Sequence, residues 1–389
     1  MPGENRCVAA HGNLITSHAN ETTACIDWLN CLLAKNGQRE AKIFGNFGYY
    51  FSGGAPMQPI PLARCALLAP FTSILDNIGA PTDRMLARFR LPTHPAERPN
   101  DYFPLFPALR FATAAQNSQG ISDFGFLAVQ QLHLGDLSEQ LQTAVRHSPT
   151  LLLALQQWCK FVQLEDTLIR FWLEPHEHGV RLCNAIPGTA GILHLEHTQW
   201  VQNLMPIAVI RMFAGANWAP ETIAFEARYT PSVETQSLWP NTRFLSGQKS
   251  SWIDVPNAQL GLANPARTVP PHSAESEYRP IGTDTVTTLK LLLPSYLDER
   301  VPNITAVAEI AGTSVRTLQR ALMAVGLTYS DLLDQVRFEK AVELLHATDA
   351  KIIDVAFATG YTDPAHFARA FRRIAGITPR EFRESSQAH

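Results

Sequence analysis

Apolar and polar positions change rhythm along the chain. From residue 286 to 384, apolar residues recur at three- and four-residue spacing in short blocks. Each block predicts a helix joined to the next by a short connection. Within this stretch Thr328 to Ala347 predicts one long helix, opened by Thr328 and Asp331, with Leu332, Val336, Leu344 and Leu345 as its apolar stripe. Residues 55–263 mix two periods. Leu75–Phe89 and Leu137–Val162 predict helices. Leu168–Leu173 and Gly179–Cys183 predict two strands around a turn, and Ile223–Phe225 a further short strand. The expected architecture is an α+β N-terminal domain followed by an all-α C-terminal domain.

The boundary between them falls at 264–285, where four prolines and several small polar residues interrupt any apolar period. That composition predicts a linker. Residues 1–54 are weakly patterned, with Gly45, Gly48, Gly53 and Gly54 marking turns, and predict a partly flexible extension. The expected organisation is therefore an extension at 1–54, a domain at 55–263, a linker at 264–285 and a helical domain at 286–389.

The helical domain contains a repeat. Val307-Ala308-Glu309-Ile310-Ala311-Gly312 is matched by Val355-Ala356-Phe357-Ala358-Thr359-Gly360, an offset of 48 residues. Leu318, Arg320 and Leu322 are matched by Phe367, Arg369 and Phe371, an offset of 49, so the second copy carries one extra residue in its turn at Tyr361–Pro364. The pattern fits a helix-turn-helix. A small Ala308 or Ala356 lets the second helix approach. Gly312 or Gly360 supplies the positive φ that ends the first. The residues four apart plug one face into the core, and Arg320 and Arg369, lying between the plugs, face outward. Ser314 and Asp363 are placed as N-caps, Pro364 as a first helical residue, and Thr378 with Glu381 as a capping box.

Two such units predict a DNA reader. The long helix between them spans roughly 30 Å at ~1.5 Å per residue, close to one turn of B-DNA, about 34 Å. In the first unit Arg316, Thr317, Gln319 and Arg320 face outward. Arginine pairs with guanine and glutamine with adenine. The second offers His366 and Arg369 to bases, with Arg372 and Arg373 better placed for phosphates. Pro364, Ala365 and Ala368 carry no base-bonding side-chain group, so the first unit is expected to specify more strongly. The plain alternative, a helical bundle with incidental arginines, does not explain two copies with matched alanine, glycine, plug and arginine positions.

Charge modifies this picture only locally. The 389-residue chain has a formal net charge of −3. Residues 286–389 hold twelve basic and twelve acidic residues, whereas 363–383 hold five arginines against Asp363 and Glu381. The basic character is confined to the second unit. The six cysteines, at 7, 25, 31, 65, 159 and 183, form no C-x-x-C pair, which argues against a disulfide framework or a zinc knuckle. No apolar run has the length of a membrane span, and residues 1–12 lack a signal-peptide core. A cytoplasmic location is expected.

The C-terminal part resembles the AraC/XylS family of bacterial regulators. Ser314-Val315-Arg316-Thr317-Leu318-Gln319-Arg320, Gly360-Tyr361, His366-Phe367, Arg369, Phe371-Arg372, Gly376-Ile377-Thr378-Pro379 and Phe382-Arg383 carry the resemblance. It implies a seven-helix domain whose two reading helices enter successive major grooves, with Arg316, Gln319 and Arg320 as the foremost base readers and His366 and Arg369 as their counterparts. Residues 71–92, 123–141 and 224–244 more faintly resemble the arabinose-binding-type effector domain of one branch of that family. That resemblance implies effector sensing and self-association without naming an effector. The expected partners are double-stranded DNA, a small-molecule effector, a second copy of the chain and RNA polymerase, with no membrane. No cofactor, metal or catalytic residue is expected. The rival readings are an N-terminal domain that only dimerises, and an enzyme fused to a DNA-binding domain; the latter would need a reactive, metal-held cysteine, which the sparse cysteines do not favour.

Weaker constellations point elsewhere. His194 and His197 form H-x-x-H, and His176 and His178 form H-x-H; surface or loop histidines are expected. The glycines at 45, 48, 53 and 54 lack a P-loop ending, and no G-x-S-x-G is present. Trp158, Phe161, Phe171, Trp172 and Trp200 could line a pocket, but core packing is expected for most of them.

Overall fold

The computed structural model describes residues 59–189, 194–265, 281–282, 284–298 and 301–387. The expected extension at 1–54 and most of the linker, residues 266–280 and 283, lie outside the described residues.

The α+β part begins with a two-stranded antiparallel ribbon, β1 (Leu62–Arg64) and β2 (Tyr102–Pro104). Between its strands lie α1 (Cys65–Asn77) and α2 (Thr82–Arg88). After it come α3 (Leu105–Gln119), α4 (Phe124–Val129), α5 (Glu139–Arg146) and α6 (Leu151–Phe161). A hairpin follows, β3 (Arg170–His176) and β4 (Gly179–Ala185), then α7 (Glu196–Ala214), β5 (Thr222–Ala224), α8 (Val233–Ser237), β6 (Arg243–Leu245), β7 (Ser251–Pro256) and α9 (Asn257–Leu260). The five later strands form one sheet in the order β3-β4-β7-β5-β6, antiparallel except for the β5–β6 pair. Gly179 is dictated by this packing: a Cβ there would stand 2.2 Å from the Val255 carbonyl oxygen on β7.

Two of the expected long helices are broken. The apolar period runs on from Leu75 to Phe89, but Gly79, at φ +72°, and Pro81 separate α1 from α2. Likewise Ser148-Pro149 separates α5 from α6, and Thr150 caps α6 by accepting from the Leu153 amide at 3.4 Å. Backbone punctuation overrides apolar period at both places. The hairpin and the short strand lie where the alternation predicts them, with ends shifted by up to three residues.

Helix α7 joins the sheet through a buried polar network. Asn203 donates to Ser251 Oγ at 2.9 Å and accepts from Asn184 Nδ2 at 3.1 Å. Trp200, fully buried one turn earlier, packs against Phe126, Phe225, Tyr229 and Phe244. Trp158, Phe161 and Phe171 are also core residues, and Trp172 is partly buried beside Cys183 and Trp252. Beside the ribbon, the buried Arg64 pairs with Glu165 at 2.7 Å.

The C-terminal part is wholly helical among the described residues: α10 (Thr285–Leu292), α11 (Ile304–Ile310), α12 (Val315–Met323), α13 (Tyr329–Ala347), α14 (Ile352–Ala358), α15 (Pro364–Ala375) and α16 (Pro379–Gln387). It holds two cores. Val307, Ala308, Leu318, Leu322, Leu332 and Val336 build the first; Ala341, Leu345, Val355, Ala356, Phe367 and Phe371 build the second. The stripe on α13 therefore feeds both cores. Ala341 and Leu345 face the second, and Leu344 only packs at its edge.

The first core is not made by this part alone. Ile60, just before the ribbon, and Leu62, in its first strand, are buried within it beside Leu289, Leu292 and Tyr296. Polar contacts surround the junction. Arg98 donates to the Ser295 carbonyl at 2.7 Å and pairs with Asp298, the Tyr296 hydroxyl donates to the Arg90 carbonyl at 2.7 Å, and Arg90 pairs with Glu309.

Candidate nucleic-acid interface

The two repeated units are built alike. Each first helix ends in paired bonds that cap its carbonyls: Thr313 N to Ala308 O at 2.9 Å and Gly312 N to Glu309 O at 3.1 Å in one, Tyr361 N to Ala356 O at 3.0 Å and Gly360 N to Phe357 O at 2.9 Å in the other. This is the Schellman closure, and it needs a left-handed residue; Gly312 and Gly360 have φ +61° and +79°. Ala308 and Ala356 are buried at the crossing. Helix α12 opens on Ser314, which accepts from the Thr317 amide at 3.1 Å. Helix α15 opens on Asp363, which accepts from the Ala365 and His366 amides at 2.9 and 3.2 Å. The connection from α11 to α12 is 311–314 and that from α14 to α15 is 359–363, so the extra residue lies in the second turn.

Buried plugs fix which faces point outward. Leu318 and Leu322 bury one side of α12, which leaves Arg316, Gln319 and Arg320 exposed. These three side chains make no hydrogen bond or ion pair among the described residues. Thr317 differs: it is half-buried, and its hydroxyl lies 2.9 Å from Ser314 Oγ. On α15, Phe367 and Phe371 are buried while His366, Arg369, Arg372 and Arg373 are exposed. Their surroundings separate them. The His366 ring sits edge-on to Tyr361 at 5.4 Å, Arg369 lies 3.9 Å from Asp363, and Arg373 is tied to Asp334 of α13 at 2.6 Å. Arg372 forms no ion pair among the described residues.

Helix α13 holds the units together. The Thr328 hydroxyl and the Asp331 carboxylate close a capping box at its start. Hydrogen bonds from Thr328 hold the Asp331 carboxyl below its usual range. The 19 residues of α13 give roughly 28 Å at 1.5 Å each. Arg337, which sequence reasoning missed, stacks on Tyr361 at 4.9 Å and donates to the Gly360 carbonyl at 3.2 Å. Its place beside Val336 on the stripe was the available signal. At the far end Thr378 and Glu381 close the expected capping box, with Thr378 N to Glu381 Oε2 at 2.7 Å.

In the α+β part, the expectation of surface or loop histidines fails for His197. It lies in the first turn of α7 and is 1% exposed. Burial, with a smaller contribution from His194, pushes its imidazole down to about 4. His178 is exposed as expected.

A helical domain with two capped, arginine-bearing helix-turn-helix units behind an α+β domain defines the class of two-headed helix-turn-helix proteins. Comparison with known proteins agrees. Residues 79–239 match the arabinose-binding domain of AraC transcription regulators, and residues 307–385 match a helix-turn-helix domain. This pair of domains in this order supports an AraC/XylS-type regulator with an arabinose-binding-type N-terminal domain. It is 32% identical over 142 residues to the ornithine utilization regulator of Pseudomonas aeruginosa, a match covering 34% of this chain and 41% of that one. It is 40% identical over 83 residues to the transcriptional activator RhaS of an Enterobacter species, covering 21% and 30%. These matches thus span well under two-thirds of either relative. The crystal structure of the regulator CdpR from Pseudomonas aeruginosa aligns with 82% of this chain and 98% of its own, at 17% identity and a TM-score of 0.32. No helix among the described residues is long and apolar enough to cross a membrane.

Proposed function

We propose that the chain is a sequence-specific DNA-binding regulator of transcription whose N-terminal domain binds a small-molecule effector and self-associates. One observation supports this most directly: two like-built helix-turn-helix units, joined by α13, expose polar faces on their second helices. Arg316, Gln319 and Arg320 read base edges in one major groove, with Thr317 held back by its bond to Ser314. His366 and Arg369 read the next groove, and Arg372 holds phosphate. Arg373 reaches phosphate only by exchanging its bond to Asp334. Residues 55–263 form the effector domain and 286–389 the DNA-binding domain, joined by the linker at 264–285. The regulator acts in the cytoplasm as a homodimer and engages RNA polymerase at its promoters. The named relatives, a regulator of ornithine utilization and an activator, favour a metabolite as effector.

Mapping of bound DNA across the native genome tests this reading. A shared motif with two half-sites about one helical turn apart is expected. Binding spread without any motif would refute it. Metabolites drawn from the mapped target operons are then screened by thermal shift, where an effector raises Tm.

A further inference from the structure

We infer that His194, Glu196 and His197, at the start of α7, form a binding site for a divalent transition-metal ion in the N-terminal domain. One donor atom from each residue lies within 4.8 Å of the others. Two imidazoles and one carboxylate are a nitrogen–oxygen set suited to Zn²⁺ or a neighbouring first-row ion, with room for a further ligand.

Three features indicate a built site. His197 is 1% exposed, and neither of its ring nitrogens has a hydrogen-bond partner among the described residues. A buried polar atom left unpaired costs stability, and coordination would satisfy one of the two. The ring is also held in place. Phe124 packs edge-on against it at 6.0 Å, and α4 approaches so closely that a Cβ on Gly125 would stand 2.4 Å from the His197 Cα. Finally, His194 adopts φ +60°, a conformation that non-glycine residues rarely take. In it the His194 ring lies nearly parallel to that of His197, with centroids 6.1 Å apart, and its Nδ1 is 2.8 Å from Glu196 Oε1.

The site needs little movement to close. A tetrahedral ion with bonds of about 2.0–2.2 Å keeps its donors roughly 3.4 Å apart. With all three donors within 4.8 Å of one another, the widest pair must therefore draw in by at most about 1.4 Å. The positive end of the α7 dipole opposes a cation; the Glu196 carboxylate, in the first turn, offsets it.

The test uses the full-length chain stripped with a chelator and titrated with Co²⁺ and Zn²⁺. One equivalent of Co²⁺ is expected to bind with a nitrogen–oxygen visible spectrum that lacks a thiolate charge-transfer band, and Zn²⁺ is expected to raise Tm. His194→Gln and Glu196→Gln, which leave the buried ring in place, should weaken this binding by about 100-fold or more, beyond what loss of an outer-shell partner costs. His178→Gln, a control on the exposed hairpin turn, should bind as the parent does. No Co²⁺ bound, a thiolate spectrum, or binding unchanged in His194→Gln and Glu196→Gln would each overturn the inference. It does not depend on DNA binding, so it stands or falls separately from the proposed function.

Discussion

The carbonyl oxygen of Leu297 lies 2.5 Å from where a Cβ on Gly360 would be. The chain leaving the first segment of the DNA-binding region thus rests against the turn of the second helix-turn-helix. Gly312, the equivalent glycine in the first unit, has open space around it. Gly312→Ala should cost about 1–2 kcal/mol, the strain of a left-handed non-glycine residue. Gly360→Ala must also displace Leu297 and should cost about 3 kcal/mol or more. Urea denaturation of both variants measures the difference, and equal costs would contradict the contact.

Arg320 and Arg372 should fail in different ways. Arg320→Ala is expected to lose about 1–3 kcal/mol at the mapped site and little on random DNA. Arg372→Ala should weaken all DNA alike and lower the salt slope by about one. Fluorescence anisotropy at several salt concentrations separates the two. The same profile for both would undo the division of roles.

The junction between the ribbon and α10 should depend on Arg98 more than on Arg90. Arg98 is largely buried and holds both Ser295 and Asp298, whereas Arg90 and Glu309 are each about half exposed. Arg98→Ala should destabilise by about 1–3 kcal/mol, and Arg90→Ala by less than about 1 kcal/mol. Amide exchange in α10 should quicken in the first variant and stay as it is in the second.

Asp166 gives a pH signature. Burial raises its carboxyl to about 6, against the opposing backbone bonds from Leu168 and Ile169. The folded state therefore holds this proton more tightly than the unfolded state, and stability falls as pH rises from about 4 through about 6. Asp166→Asn keeps an oxygen for both amides and carries no charge. It should be more stable than the parent at pH 7 by about 1–3 kcal/mol, with the gap closing toward pH 4. A gap that is constant across this range would show that the carboxyl is not shifted.

The C-terminal helical part was legible in the sequence because its signals are local. Caps at Ser314, Asp363 and Thr378, the closing glycines and the paired plugs act within a few residues of themselves. The single inserted residue in the second turn could be counted from the offsets alone. What was hidden is non-local. Nothing near Ile60 shows that it shares a core with Leu289, 229 positions later. The tie between Arg373 and Asp334 likewise depends on how α13 and α15 cross. Period alone also misled, since it runs through the breaks at Gly79 and Pro149. His197 read as an ordinary loop histidine because a short motif does not reveal burial.

Because Ile60 and Leu62 complete the core behind α12, the seam between modules does not coincide with a clean excision point. A fragment beginning at Thr285 would present a bare apolar socket and should clump or soften in solution. Grafting this reader onto a foreign sensor would require carrying the ribbon along with it.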